Sequence, residues 1–306
     1  MTKAIFFFIA CLLLLLPFVF TLEGNSFSAQ LIITTPFLLF LGIPHGAIDN
    51  LLYLRNNNIN NIQFIGAYLV FIGLNVALWF TIPCMAYVLF LLLSAYHFGQ
   101  SQFSHYLQNQ AISFQALYFL WGVSILSALI YLNIDDVYII MDQHEEFAAF
   151  KSLHQKNVLR FLFFGSTASS LLLMIYHGFK NHIKWESILM ETVVITLILV
   201  CFYLMPILIG FSLYFVILHS YKVLKEEYNF LLSEKEINSV KNFFLLITPF
   251  TLFSIFGITF LFALIHFNIL QISYGYCLLI AISSITLPHV FVMNKFYRLF
   301  GRNQNT

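Results

Sequence analysis

The chain has 306 residues, of which 9% are charged and 60% hydrophobic, with a mean hydropathy of +0.88. Soluble domains carry about a quarter charged residues, so one or two water-soluble domains are excluded. A formal net charge of +1 without any basic tract also argues against a nucleic-acid partner.

No Asp, Glu, Lys or Arg lies between Arg55 and Asp135, or between Lys241 and Lys295. Tracts of that length, rich in Phe, Leu and Ile, read as successive membrane spans of about 20 residues each. In chain order they fall at 4–22, 28–48, 62–81, 83–102, 113–133, 158–177, 187–205, 207–224, 243–265 and 270–292. Uninterrupted apolar runs lack the polar-in alternation of a barrel strand, so the expected fold is all-α: one integral membrane domain over 1–306, a polytopic bundle of about ten helices. The first run follows Lys3 and is itself followed by a weak cleavage candidate at Ser28-Ala29, but it is long for a signal sequence and is expected to stay as a helix. The second ends in Gly-Ile-Pro-His45-Gly-Ala-Ile-Asp49, and the fourth in Ser-Ala-Tyr-His97-Phe-Gly-Gln. Between spans five and six, the acidic segment 134–157 (Asp135, Asp136, Asp142, Glu145, Glu146) reads as an interfacial helix. The seventh span carries Glu191 about one turn inside its start, and Pro206 separates it from the eighth, which carries His219 near its end. The tenth contains Thr-Leu-Pro-His289-Val.

Of the 14 Lys and Arg, eleven fall on one side of this arrangement and only Lys151, Lys156 and Arg160 on the other. The positive-inside rule then puts both termini in the cytoplasm of a cell whose inner membrane the chain crosses. His45, His97, His219 and His289 all lie near the ends of spans that run outside to inside, at one depth, and are expected to converge there. Polar groups at membrane depth are costly and read as functional. His177, at the inner end of the sixth span, is expected at the interface; His105, His144, His154, His182 and His266 are expected at the surface. Asp49, four residues after His45, is placed to accept that imidazole's second N–H and raise its basicity; Glu191 lies on the same inner side, either as a second supporting carboxylate or as a residue that points to the interface. Pro44, Gly46 and Pro288 loosen the backbone beside two of the histidines, which is tolerated where a cavity is lined. The four cysteines form no CxxC and read as buried small hydrophobes. Several neutral imidazoles without thiolates suit iron, zinc or copper.

At these residues the chain resembles the Brp/Blh-type β-carotene 15,15′-dioxygenases, membrane enzymes of bacteria and archaea that make retinal. The matching pieces are Gly42-Ile43-Pro44-His45-Gly46-Ala47-Ile48-Asp49, Ser94-Ala95-Tyr96-His97-Phe98-Gly99-Gln100, His219-Ser220 and Pro288-His289. The resemblance implies a single non-haem Fe(2+) held by His45, His97 and His219, and oxidative cleavage of β-carotene or a related carotenoid by O2, with substrate arriving through membrane lipid. Two positions depart from the family pattern. A histidine usual four residues after the one matching His219 is Val223 here, and the acidic residue that commonly follows the His-Phe-Gly string is Gln102. His289 then either completes the ligand set, or the site has three histidines, or this chain has lost or changed its activity. Outside the enzyme class, a histidine-based transporter, a haem-binding protein and an inactive carotenoid-binding relative remain as alternatives.

Overall fold

The computed structural model describes residues 2–21, 27–54, 59–106 and 112–303. Arg55, and the side chains of His105 and Arg302, lie outside the described residues. In chain order the helices are α1 (Thr2–Thr21), α2 (Phe27–Phe37), α3 (Asp49–Leu54), α4 (Asn61–Thr81), α5 (Pro83–Gln102), α6 (Ile112–Leu132), α7 (Ile134–Gln143), α8 (Glu145–Ala148), α9 (Lys156–Phe179), α10 (Trp185–Leu204), α11 (Ile207–Leu213), α12 (Tyr221–Ser233), α13 (Val240–His266) and α14 (Tyr274–Asn303). No strand occurs among the described residues. Nine helical stretches there are long and apolar enough to cross a membrane, and α1 adds the shorter apolar run Lys3–Pro17. The chain is therefore an all-α, polytopic membrane protein. Two of the nine are composite. One runs Phe27–Leu54 through α2, a π-helical stretch (Leu38–Gly42), a 3-10 turn (Ile43–Gly46) and α3; the other runs Ile207–Ser233 through α11, a π-helical stretch (Tyr214–Ser220) and α12. The break expected at Pro206 is present, but the following helix extends nine residues beyond the expected end at 224.

Lipid tails are as apolar as leucine, so packing between helices rests on small residues and a few internal hydrogen bonds. Both devices are visible. Gly99 of α5 and Gly122 of α6 mark a crossing where the backbones touch: a Cβ on Gly99 would fall 1.8 Å from the Tyr118 carbonyl oxygen, and one on Gly122 would fall 1.8 Å from that of Ala95. Asn75 on α4 hydrogen-bonds the hydroxyls of Ser283 and Ser284 on α14 at 3.0 Å, and Trp79 Nε1 donates to Ser283 at 2.6 Å. Gln30 Oε1 accepts from the Leu208 amide just after Pro206, where α11 begins and its first amides have no helical partner. Asn60 and Gln63 cap α4 reciprocally. Asn181 and Asn268 take positive φ after α9 and α13, as asparagine commonly does at a helix C-terminus.

The acidic segment folds as α7, α8 and the 3-10 turn Lys151–Leu153, with Ile134, Val137, Ile140 and Met141 of α7 buried. The residue that follows corrects one expectation: His154 is buried, not superficial. Its Nδ1–H donates to the Phe150 carbonyl at 2.8 Å and its Nε2 accepts from the Tyr87 hydroxyl at 2.9 Å, while Tyr138 donates to its carbonyl. Phe150, stacked on Tyr87, closes the cluster. Burial pulls the imidazole below its usual range, partly offset by the Phe150 carbonyl. The fold therefore holds the neutral form, and the stabilisation is complete above the unfolded value of about 6.5 and fades as pH falls below it. The nearby Asp142–Lys151 pair is exposed and adds little. Limited proteolysis of 144–155 should accelerate below that pH, and His154→Phe should abolish the dependence; a profile identical in both proteins would refute this role. His177 also differs from expectation. It is 1% exposed and stacked on Phe114 at 3.8 Å, with Nδ1 3.3 Å from that of the exposed His182, because α6 begins directly over it. His266 is exposed, as expected.

Candidate metal centre

Four elements bring one imidazole each into a single cluster. The π-helical stretch 38–42 widens the helix just ahead of Pro44, which has no N–H to continue the ladder. The chain tightens into the 3-10 turn, and His45 leaves it inward, buried, with Nδ1 hydrogen-bonded to the Gly42 carbonyl. His97 stands on the half of α5 in which Ser94, Ala95 and every residue from His97 to Gln102 are buried. His219 lies within the second π-helical stretch, and His289 follows Pro288 inside α14.

The ring centroids of His45 lie 6.4 Å from His97, 5.3 Å from His219 and 4.8 Å from His289. Those of His97 lie 4.9 Å from His219 and 5.0 Å from His289. One nitrogen each of His45, His97 and His289 all fall within 4.8 Å of one another. Nitrogens sharing an ion at about 2.0–2.1 Å are no more than about 4.2 Å apart, so the trio is gathered to about the scale of a ligand set. His219 flanks it.

The hydrogen bonds on the far side of each ring set the tautomers. His289 Nδ1–H donates to both carboxylate oxygens of Asp49, at 2.9 and 3.1 Å, and Tyr68 donates to the same carboxylate at 3.0 Å. His219 Nδ1–H donates to Ser101 Oγ at 3.0 Å, and that hydroxyl donates onward to the Phe98 carbonyl. With Nδ1 engaged, Nε2 carries the lone pair toward the centre. Nε2 of His219 and His289, and both nitrogens of His97, are buried without a hydrogen-bond partner among the described residues. A buried polar atom left unpaired costs about 1–3 kcal/mol, and natural structures rarely tolerate several together. Lone pairs gathered from separate helices at membrane depth fit a ligand that satisfies them all, and nitrogen donors without thiolates fit a borderline divalent cation.

Asp49 pairs with His289 rather than with His45. The 3-10 turn advances about 120° per residue against the 100° of an α-helix, which takes Asp49 away from the His45 ring and toward α14. Glu191 is buried and accepts from Gln102 Nε2 at 2.5 Å, while Lys222 Nζ donates to the Gln102 carbonyl at 2.6 Å. Its bond runs to the residue after Ser101 and not to an imidazole. Val223 is fully buried in an apolar cluster with Ile48, Leu52 and Met293. Ser101 and Tyr68, which hydrogen-bond His219 and Asp49, went unrecognised in the sequence. Ser101 had a faint signal, one helical turn after His97, whereas Tyr68 had none.

The four rings open onto a cavity of about 60 Å³ with apolar walls that include Leu38, Phe90, Phe98, Phe215 and Ile282. The chain matches the family model described as Beta-carotene 15,15'-dioxygenase over residues 37–297, a span that takes in all four imidazoles. No curated protein and no solved structure matches it.

Proposed function

We propose that this chain, which belongs to the beta-carotene 15,15′-dioxygenase family, cleaves the central double bond of β-carotene with O2 to give two molecules of retinal. The observation that carries the reading is the gathering of four imidazoles from four separate elements, with unsatisfied nitrogens aimed at one another. The ion we assign to them is Fe(2+), held by His45, His97, His219 and His289. His289 takes the fourth place in a chain where Val223 fills an apolar cluster. Bound iron supplies the redox chemistry by which O2 reacts with a carbon–carbon double bond. Both oxygen atoms end in the two aldehydes, one on each carbon of the broken bond, so no external reductant and no obligatory general base is required.

The protein's own part is positioning and exclusion of water. The Gly42 carbonyl, Ser101 and the Asp49–Tyr68 pair each hold one imidazole in a fixed tautomer, and such supports typically matter about 10–100-fold in metal affinity or activity. The cavity of about 60 Å³ has room for O2. A polyene dissolved in the bilayer reaches it sideways between helices. The distribution of Lys and Arg supports a cytoplasmic location for both termini and hence for the end of the bundle nearer the histidines.

A bacterial host that accumulates β-carotene tests the reading. Expression of the chain should bleach the orange colour and yield retinal by chromatography. Unchanged carotene in cells whose membranes contain folded, iron-loaded protein would overturn it.

A further inference from the structure

Beside the metal ligands, the structure contains an aromatic column that the proposed chemistry has not yet used. Phe211, Phe215 and His219 recur every four residues across the junction of α11 and the π-helical stretch. Phe211 and Phe215 lie 5.3 Å apart at 17°, and Phe215 and His219 lie 5.4 Å apart at 23°. Three flat rings thus stand nearly parallel in a row whose last member is one of the imidazoles at the centre. Both phenylalanines are only partly buried, and both line the cavity in front of the histidines.

Phe215 is also fixed in place. Behind it passes the bare backbone of Gly42, where a Cβ would lie 2.9 Å from Phe215 Cε1 and 3.3 Å from Cδ1. The His45 ring meets Phe215 edge-on at 5.5 Å and Phe98 does so at 6.1 Å. A phenylalanine held on several sides is a rigid plate and not a swinging door. Its fixed distance from His219 gives the column the properties of a ruler that starts at the metal.

We propose that the Phe211–Phe215 column is the surface on which a conjugated polyene lies, and that Phe215 is the positioning residue that sets which double bond faces the metal. The inference rests on the carotenoid-cleaving reading and deepens it. A flat conjugated chain matches a row of parallel rings through offset stacking, whereas a saturated acyl chain gains nothing from the alignment. Removing the plate next to the metal lets the polyene slide, so more than one bond is presented for cleavage. Gly42 has the complementary role: a methyl group there drives the ring into the cavity.

The test compares wild type, Phe215→Ala, Phe215→Tyr and Phe211→Ala, purified in detergent with iron content measured, and supplied with β-carotene. Phe215→Ala should retain its iron and give aldehydes of several chain lengths in place of one. Its KM should rise roughly 2–10-fold, the loss expected for one stacking face. Phe215→Tyr, which keeps the flat face, should restore the single product. A single central product with unchanged KM from iron-loaded Phe215→Ala would overturn the proposal. Should wild type bind the polyene without cleaving it, the cleavage reading fails and the column is judged separately, by induced circular dichroism of the bound carotenoid. A signal present in wild type and Phe215→Tyr but lost in Phe215→Ala supports the column, and equal signals or no binding by wild type refute it. If Phe215→Ala does not fold, Phe211→Ala decides on the same readouts, because its ring is one step further from the metal.

Discussion

His97→Ala protein is expected to come out of the membrane folded, nearly free of iron and at least about 100-fold less active, a loss of the size found when a metal-site contact is removed. His97 is the sharpest position for this experiment because neither of its nitrogens has a hydrogen-bond partner among the described residues. If the cluster held no ion, deleting an unpartnered buried imidazole would relieve a penalty of about 1–3 kcal/mol, offset by the cavity left behind. If it holds an ion, the same deletion removes a ligand, and the protein loses the stabilisation that binding confers. The two cases separate by comparing thermal unfolding with and without a chelator. Chelation should lower the midpoint of wild type and leave that of His97→Ala unmoved. Equal iron in the two proteins, or a wild-type midpoint indifferent to chelation, would sink the assignment. The visible spectrum of the same samples addresses the haem alternative, since a mononuclear histidine site has no Soret band.

How the site was legible follows from what each signal depends on. Membrane spans are a property of composition over about 20 residues, so nine of the ten expected runs appear among the described residues as helices long enough to cross, and the first as the shorter apolar run Lys3–Pro17. Depth along a span is residue counting, and it was enough to bring His45, His97, His219 and His289 to one level. Rotation about a helix axis is a different matter. Asp49 was legible as a partner of an imidazole but was placed beside His45 on the assumption of α-helical winding. The 3-10 turn at Ile43–Gly46 and the π-helical stretch before it change that rotation, and Asp49 meets His289, 240 residues away, instead. Ser101 was hidden for the same reason: it shares a helix with His97 but serves His219. Burial of loop histidines was invisible too. Nothing near His154 in sequence announces that Tyr87 and Tyr138, on other helices, will enclose it. The helix that carries the eighth span runs past 224, although Lys222 and Lys225 look like the start of a polar boundary. Lys222 instead turns back to the Gln102 carbonyl, and the helix continues to Ser233 with Glu226 bonded to Ser104 and Tyr297.

The histidine cluster also depends on a contact that contains no imidazole. Gly99→Ala should abolish the folded protein or leave a small residue without iron. The added Cβ would sit 1.8 Å from the Tyr118 carbonyl oxygen, against ordinary carbon–oxygen contacts of about 3.3–3.6 Å. The obstacle is backbone, so no side-chain rotation relieves it and the two helices must separate. Gly122 makes the reciprocal approach to the Ala95 carbonyl, so the crossing is pinned at two points and cannot pivot around one. His97 lies two residues before Gly99 on α5 and Ser101 two residues after it, so any separation moves one imidazole of the cluster and the hydroxyl that holds another. A misplacement of about 1 Å can already cost roughly 100-fold in rate. Gly66→Ala on α4 is the matched control, because nothing lies within 4 Å of its Cβ and alanine is the better helix former. Yield of monodisperse protein by size exclusion, followed by iron content, reads both effects. Gly99→Ala that matched Gly66→Ala in yield and iron would mean that α5 and α6 do not pack as closely as the structure shows, and the position assigned to His97 would fall with them.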